Sequence, residues 1–184
     1  MSARNGDPMT CAYAVTADEN GWLQQAAAGY EAALLADAAD LQATVNLAVL
    51  YWQAAGHGSY APGGTSVEFR SHAARRLPEL LESAARRFAG NAEVIFWNKY
   101  IAAAGAGAVL GTRECRQLMQ ARPDYLEPAF VVFAESAGTE AEPEAMRLLA
   151  DYSEQPTTRA RYVTSIINAA LSRQRWRPSC AAPA

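Results

Sequence analysis

The residues best suited to acid–base chemistry in this sequence are its two histidines, His57 and His72. His57 lies two residues before Ser59 in a glycine-rich stretch, and such a pair could supply a nucleophile and its base. The sharp Gly-x-Ser-x-Gly turn that holds a reactive serine does not occur, however, and a glycine-rich loop does not fix hydrogen-bond geometry. Glu68 precedes His72 by four residues on one helix face, but a metal site needs more ligands than this pair. The sequence therefore predicts neither catalytic nor metal-binding residues.

A glycine-containing run from Gly105 to Gly111 has a superficial likeness to a dinucleotide-binding loop. Such a loop follows a β-strand and opens a helix whose amino terminus holds a pyrophosphate. Here the run follows an apolar helical segment, and its last glycine has the wrong spacing. The Gly-Lys-Ser/Thr of a P-loop is also missing from the sequence. We therefore expect no nucleotide and no other cofactor.

Charge and composition narrow the classes of partner. The chain carries a formal net charge of -3 and has a pI near 5.4, whereas nucleic acids and anionic membranes attract basic surfaces. No apolar run reaches the roughly 18 residues of a membrane-spanning helix, and the first residues do not resemble a signal peptide. The three cysteines are far apart and predict reduced thiols. We expect a cytoplasmic protein that binds neither nucleic acid nor membrane.

The chain is predicted to be helical, because apolar side chains recur at steps of three and four along most of it. In the clearest unit, one stripe runs through Leu47, Leu50, Tyr51 and Ala54, and Asp40 can cap the helix that carries it. Hydrophobic residues make up 51% of the chain and aromatic ones only 9%, so alanine dominates and favours close-packed helices. Eight helices are predicted, over residues 19–36, 41–55, 66–88, 92–104, 112–122, 126–136, 143–154 and 157–173.

The predicted helices form one domain over residues 19–173. Residues 1–18 have no helical period and are expected to be mobile or loosely docked, and residues 174–184 form a tail. Four glycines and a proline between residues 56 and 66 predict an insertion loop, and insertions in repeat proteins often project from the binding face. Pro78 is expected to kink the third helix or to start a new one after Leu77, because proline removes a backbone donor.

The first two helices resemble a tetratricopeptide repeat, a helix–turn–helix unit of about 34 residues. The resemblance depends on a small–aromatic–small pattern and on an Asn-Leu-small run followed by an aromatic residue, at Ala26, Tyr30, Ala33, Asn46, Leu47, Ala48 and Tyr51. Pro123 and Pro156 support it, because they lie 33 residues apart and each closes an apolar helical run. The resemblance implies an all-α solenoid of antiparallel helix pairs, stacked as a right-handed superhelix.

In this family the first helix of each pair lines a concave groove, so the resemblance also implies a binding site for another polypeptide. At the matched positions the groove would be lined by Gln42, Val45, Val49 and Trp52. Asn46, and Asn98 with Lys99, resemble the asparagine and lysine groups by which some relatives hold a peptide's terminal carboxylate. We therefore predict a non-enzymatic interaction scaffold or chaperone-like adaptor that binds a peptide or a segment of a partner protein.

Other interpretations stay open at this point. Trp52, Tyr51 and Tyr100 could equally pack in the core. The chain could instead be a helical enzyme or a small-ligand-binding module in which the glycine-rich loop forms a lid over His57 and His72. A third alternative is self-association into a homo-oligomer through an exposed apolar edge.

Overall fold

The computed structural model describes residues 11–56 and 65–175 of the chain. Within these ranges the protein is all-α, without a β-strand, as predicted. The helices of this part are α1 (Cys11–Glu19), α2 (Leu23–Ala36), α3 (Leu41–Ala54), α4 (Val67–Arg87), α5 (Ala92–Gly105), α6 (Thr112–Ala121), α7 (Pro128–Glu135), α8 (Glu142–Glu154) and α9 (Thr158–Arg175). The eight predicted helices are present as α2 to α9. His57, most of the predicted insertion and most of the predicted tail lie outside the described residues.

Helix α3 is the centre of the fold. Its residues 43–54 are all buried, including the polar Asn46 and Gln53, because α2, α4, α5 and α9 all contact it. A helix that is apolar on every side needs such complete cover. Its amino terminus is capped as predicted, since the carboxylate of Asp40 accepts a hydrogen bond from the backbone N–H of Ala43 at 2.8 Å.

The last helix closes the fold onto the first ones. Helix α9 contacts α3 and α7 as well as its chain neighbour α8. Its first residue, Thr158, donates a backbone hydrogen bond of 2.8 Å to the carboxylate of Asp18 on α1. In a solenoid each repeat contacts only its neighbours. The predicted superhelical stack is therefore not confirmed, because both ends of the described chain meet.

Helix α1 lies in the segment that the sequence predicts to be mobile or loosely docked. It spans Cys11–Glu19, packs against α2, and buries Ala14, Ala17 and Asp18. Residues 11–18 thus belong to a helix that contacts α2, and the mobility of the segment as a whole stays a prediction. The helix has only nine residues, and its buried positions are two alanines and an aspartate. These residues do not form an apolar stripe that the sequence alone would reveal.

Helices α1 and α2 cross closely at Gly29. A Cβ atom at this position would lie 2.8 Å from the side chain of Ala14 and 3.1 Å from its Cα. We expect Gly29→Ala to destabilise the protein by about 2 kcal/mol, because overpacking outweighs the higher helix propensity of alanine. The free energy of unfolding in urea, followed by circular dichroism, measures this loss.

Gly105, at the end of α5, provides the matched control, because a Cβ there would meet nothing within 4 Å. Gly105→Ala should leave stability unchanged or raise it by up to about 1 kcal/mol. The double variant Gly29→Ala/Ala14→Gly should recover part of the loss, since it removes the methyl group that clashes. A Gly29→Ala protein as stable as the wild type would show that the two helices do not approach this closely.

Helix α4 runs without a break through Pro78, from Val67 to Arg87. The predicted new start after Leu77 does not occur. Proline lacks the N–H that would bond the carbonyl of Ala74, but Pro78 and Ala74 are both exposed, so water can replace the missing donor.

Candidate functional site

The residues predicted on α3 to contact a partner lie mostly inside the fold. Gln42 is exposed, but at most 2% of the surface is exposed for Val45, Asn46, Val49 and Trp52. The indole of Trp52 packs edge-on against the rings of Tyr100 on α5 and Tyr162 on α9, with centroids 5.8 and 5.0 Å away. Val45, Val49 and Trp52 therefore do not lie on an open concave face, because other helices cover them. A role in binding for these residues stays a prediction.

The three residues expected to hold a peptide carboxylate do not converge. The amide of Asn46 donates to the hydroxyl of Tyr30 at 3.2 Å, and the amide of Asn98 donates to a backbone carbonyl of α4 at 3.2 Å. Lys99 forms an ion pair with Glu114 of α6. Each group is thus engaged by a different part of the protein.

An open groove of about 290 Å³ lies on the other side of α3, between α2 and α4. Its floor is formed by Leu47 and Tyr51 of α3, whose side chains are almost fully buried. Its walls consist of Glu31, Leu34 and Leu35 on α2 and of Arg76, Glu79, Leu80, Ser83 and Arg87 on α4. We call this feature the α2–α4 groove. It combines an apolar base with charged groups on both helical walls.

Leu35 forms an apolar rim of the α2–α4 groove. Its side chain is 89% exposed, more than any other large hydrophobic side chain of the described residues. Single exposed leucines are common on protein surfaces. This one, however, lies beside Leu34 and opposite Leu80, so an apolar side chain entering the groove would cover several apolar groups at once.

Charge is distributed unevenly along the groove. At one end, the guanidinium of Arg76 lies 3.4 Å from the carboxylate of Glu31 and also pairs with Glu79; its hydrogen bond to Glu79 raises its pKa. At the other end, Arg87 forms no ion pair with any residue in the described ranges. Eleven residues separate the two arginines on α4, which corresponds to roughly 16 Å along a helix.

His72 lies beside this groove on α4. Its Nε2 is 3.3 Å from the hydroxyl of Tyr51 and 3.9 Å from the carboxylate of Glu31. Burial, with a further contribution from Glu31, raises the pKa of Tyr51, so the phenol stays neutral at pH 7. A pairing of His72 with His57 stays a prediction, because His57 lies outside the described residues.

A second polar feature, which we call the Glu127 network, is buried between α5, α8 and α9 and consists of Glu93, Trp97, Tyr125, Glu127, Tyr152 and Arg159. Glu127 is 2% exposed. Its carboxylate accepts hydrogen bonds from the indole of Trp97 at 2.8 Å, from the hydroxyl of Tyr125 at 2.6 Å and from the hydroxyl of Tyr152. Arg159 Nε lies 2.8 Å from the same carboxylate, and Arg159 Nη1 lies 2.6 Å from Glu93.

The Glu127 network is suited to stability rather than to chemistry on a substrate. Burial raises the pKa of Glu93, and burial raises that of Tyr125 well above its usual value. Burial alone would lower the pKa of Arg159, but the field of Glu127, together with Tyr152 and Glu93, outweighs it and raises the pKa. Four donors of the chain already occupy the carboxylate of Glu127, so little hydrogen-bonding capacity is left for a ligand.

The third polar feature, the Asp18 network, joins α1, α2, α3 and α9. The carboxylate of Asp18, which is 0% exposed, accepts hydrogen bonds from the backbone N–H and the hydroxyl of Thr158 at 2.8 and 2.5 Å, and from the hydroxyl of Tyr30 at 3.2 Å. Arg161 donates to the backbone carbonyls of Asp18 and Glu19 at 2.8 and 3.2 Å. This network holds α1 at the amino terminus of α9, where a helix favours a carboxylate.

Sequence reasoning missed all three features. The groove wall on α4 could have been found, because Arg76, Leu80, Ser83 and Arg87 recur at helical steps of four, three and four and mix charge with an apolar side chain. Nothing local distinguishes Asp18 or Glu127 from surface carboxylates.

The described residues do not suggest a metal site or a membrane span. No three histidine, cysteine, aspartate or glutamate side chains in these ranges come together as ligands of an ion, and none of the helices there is long and apolar enough to cross a bilayer. Comparison with known protein families, with curated proteins and with solved structures gives no match to this chain. The tetratricopeptide resemblance therefore stays a prediction.

Proposed function

We propose that this protein is a non-enzymatic interaction module that binds a segment of a partner protein in the α2–α4 groove. The observation that carries the proposal is the exposed side chain of Leu35, which lines the groove together with the half-buried Leu34 and Leu80. A groove between helices that exposes leucine side chains matches the way an amphipathic helix is bound, through anchors spaced three and four residues apart. The scaffold function predicted from the sequence is thus retained, but at a different surface.

The size of the groove supports an anchor-based mode of binding. A volume of about 290 Å³ is at the small end for a ligand pocket and suits a few side chains better than a whole cofactor. Burying one leucine or phenylalanine contributes about 1.5–3 kcal/mol, so two or three anchors would give a complex of moderate affinity after the costs of association.

Site-specific photo-crosslinking tests the proposal. A photoreactive amino acid is placed at position 35 of the full chain in its native cells, and at position 109 as the control, because Val109 is also exposed, at 61%, but does not line the groove. Position 35 should crosslink to a partner that position 109 does not reach, and mass spectrometry identifies it. The purified partner should then bind Leu35→Asp about tenfold or more weakly than the wild type and bind Val109→Asp normally.

Two results would contradict the proposal. Position 35 could crosslink only to other copies of this chain, which would favour self-association. The purified partner could bind Leu35→Asp and the wild type equally, which would place its site elsewhere.

A further inference from the structure

We infer that the segment bound in the α2–α4 groove is an acidic amphipathic helix, whose apolar side contacts Leu35 and whose carboxylate binds Arg87. This inference rests on the proposed function and adds the chemistry of the partner. It is based on the charges of α4 and on which of them are already engaged within the protein.

Helix α4 is basic, although the chain as a whole is acidic. It contains five arginines and three glutamates, whereas the formal net charge of the chain is -3. The arginines of α4 thus outnumber its glutamates by two on the helix that forms one wall of the groove. An approaching acidic segment would be attracted to this wall.

The two arginines of the groove differ in what they can offer a partner. The guanidinium of Arg76 is engaged by Glu31 and Glu79. Arg87 is exposed, lines the groove and forms no ion pair within the described residues. A carboxylate of the partner could therefore bind Arg87 without breaking an existing pair, and a guanidinium can bind both oxygens of a carboxylate.

A basic segment would meet a less favourable surface. The carboxylates in the groove, Glu31 and Glu79, already pair with Arg76, so a partner lysine would have to displace that arginine. It would also lie near Arg87, whose charge has no ion-pair partner among the described residues. The groove thus disfavours basic segments by repulsion as well as favouring acidic ones by attraction, which is how related partners are usually distinguished.

The position of Arg87 also sets the geometry of the bound segment. Arg76 and Arg87 are separated by roughly 16 Å along α4, which equals about three turns of a partner helix. We expect apolar anchors at the middle of such a helix, over Leu35 and Leu80, and a glutamate or aspartate about two turns away, at the end near Arg87.

Selection from a displayed library of random 16-residue peptides tests this inference on the full chain. Peptides that bind the Leu35→Asp variant are removed from the library first. Those then selected on the wild type should bind in the groove. The surviving peptides should carry net negative charge and apolar residues three and four positions apart. Synthetic copies should bind Arg87→Glu about tenfold more weakly by fluorescence anisotropy, and raising the salt concentration should weaken binding to the wild type.

Arg86→Glu is the matched control. Arg86 is the neighbouring residue and undergoes the same change of charge, but it pairs with Glu82 and does not line the groove. The selected peptides should bind Arg86→Glu within about twofold of the wild type. Equal losses in the two variants would overturn the inference, because the effect would then come from overall charge.

The possible failures are distinguishable. Surviving peptides that are neutral or basic would overturn the acidic chemistry and leave the proposed function intact. If no peptide distinguishes the wild type from Leu35→Asp, both the inference and the proposed groove fail.

Discussion

Replacing Arg159 with alanine should lower the free energy of unfolding by about 4 kcal/mol, because the variant leaves two carboxylates without their cation in the interior. Arg159 Nε lies 2.8 Å from Glu127, and Nη1 lies 2.6 Å from Glu93. The exposed fractions of these side chains are 11% for Arg159, 3% for Glu127 and 19% for Glu93, so water does little to solvate the remaining charges. Unfolding in urea, followed by tryptophan fluorescence, measures the loss.

Arg122→Ala is the control for this prediction. Arg122 also pairs with a carboxylate, that of Asp124 at 3.4 Å, but the two side chains are 55% and 73% exposed. Because water solvates both exposed side chains, loss of this pair should cost less than about 1 kcal/mol, as for other exposed ion pairs. If Arg159→Ala and Arg122→Ala were equally stable, the Glu127 network would not be buried as described.

The local structure of this protein is largely predictable from its sequence. Apolar periods mark the eight helices from α2 to α9, and Asp40 identifies the start of α3. These signals are local, since a helix needs an apolar stripe and a cap that lie within a few residues of each other. The arrangement of the helices in space is not encoded in this way.

The predicted binding face shows where local reasoning ends. The tetratricopeptide resemblance places Val49 and Trp52 on an open groove, yet α5 and α9 cover this side of α3. One signal in the sequence pointed to complete burial, because the run from Ala43 to Ala54 contains only three polar residues, Thr44, Asn46 and Gln53. A helix with so few polar positions has no side suited to water.

The buried polar networks could not be predicted, because their members are far apart in sequence. Asp18 and Thr158 are separated by 140 positions, and Trp97 and Glu127 by 30. A carboxylate is usually exposed, and only the tertiary structure shows which carboxylate is surrounded by donors. The contact of α9 with α1 is likewise not encoded by neighbouring residues.

Replacing Asp18 with alanine should cost about 3 kcal/mol, the second largest effect expected here. The carboxylate is the acceptor for both donors of Thr158 and for the hydroxyl of Tyr30, and each buried donor left without an acceptor costs about 1–3 kcal/mol. The control is Glu19→Ala, one residue further on α1, because no side-chain contact of Glu19 is part of this network and such changes usually stay within about 0.5 kcal/mol. Thermal and urea unfolding measure both variants.

Asp18→Asn separates the hydrogen bonds from the charge. Asparagine keeps an oxygen that can accept a hydrogen bond from Thr158, so the Asp18→Asn protein should be more stable than Asp18→Ala.

Burial raises the pKa of Asp18 in the folded protein, despite the hydrogen bonds from Thr158 that lower it. The proton-linked part of the stability that Asp18 contributes is therefore fully present below its unfolded pKa of about 3.9 and is lost as the pH rises through the folded pKa. As the pH falls from neutrality towards about 4, the stability of the wild type should rise relative to Asp18→Asn. A difference that stays constant with pH would contradict the burial of this carboxylate, and an Asp18→Ala protein as stable as Glu19→Ala would show that α1 is not joined to α9.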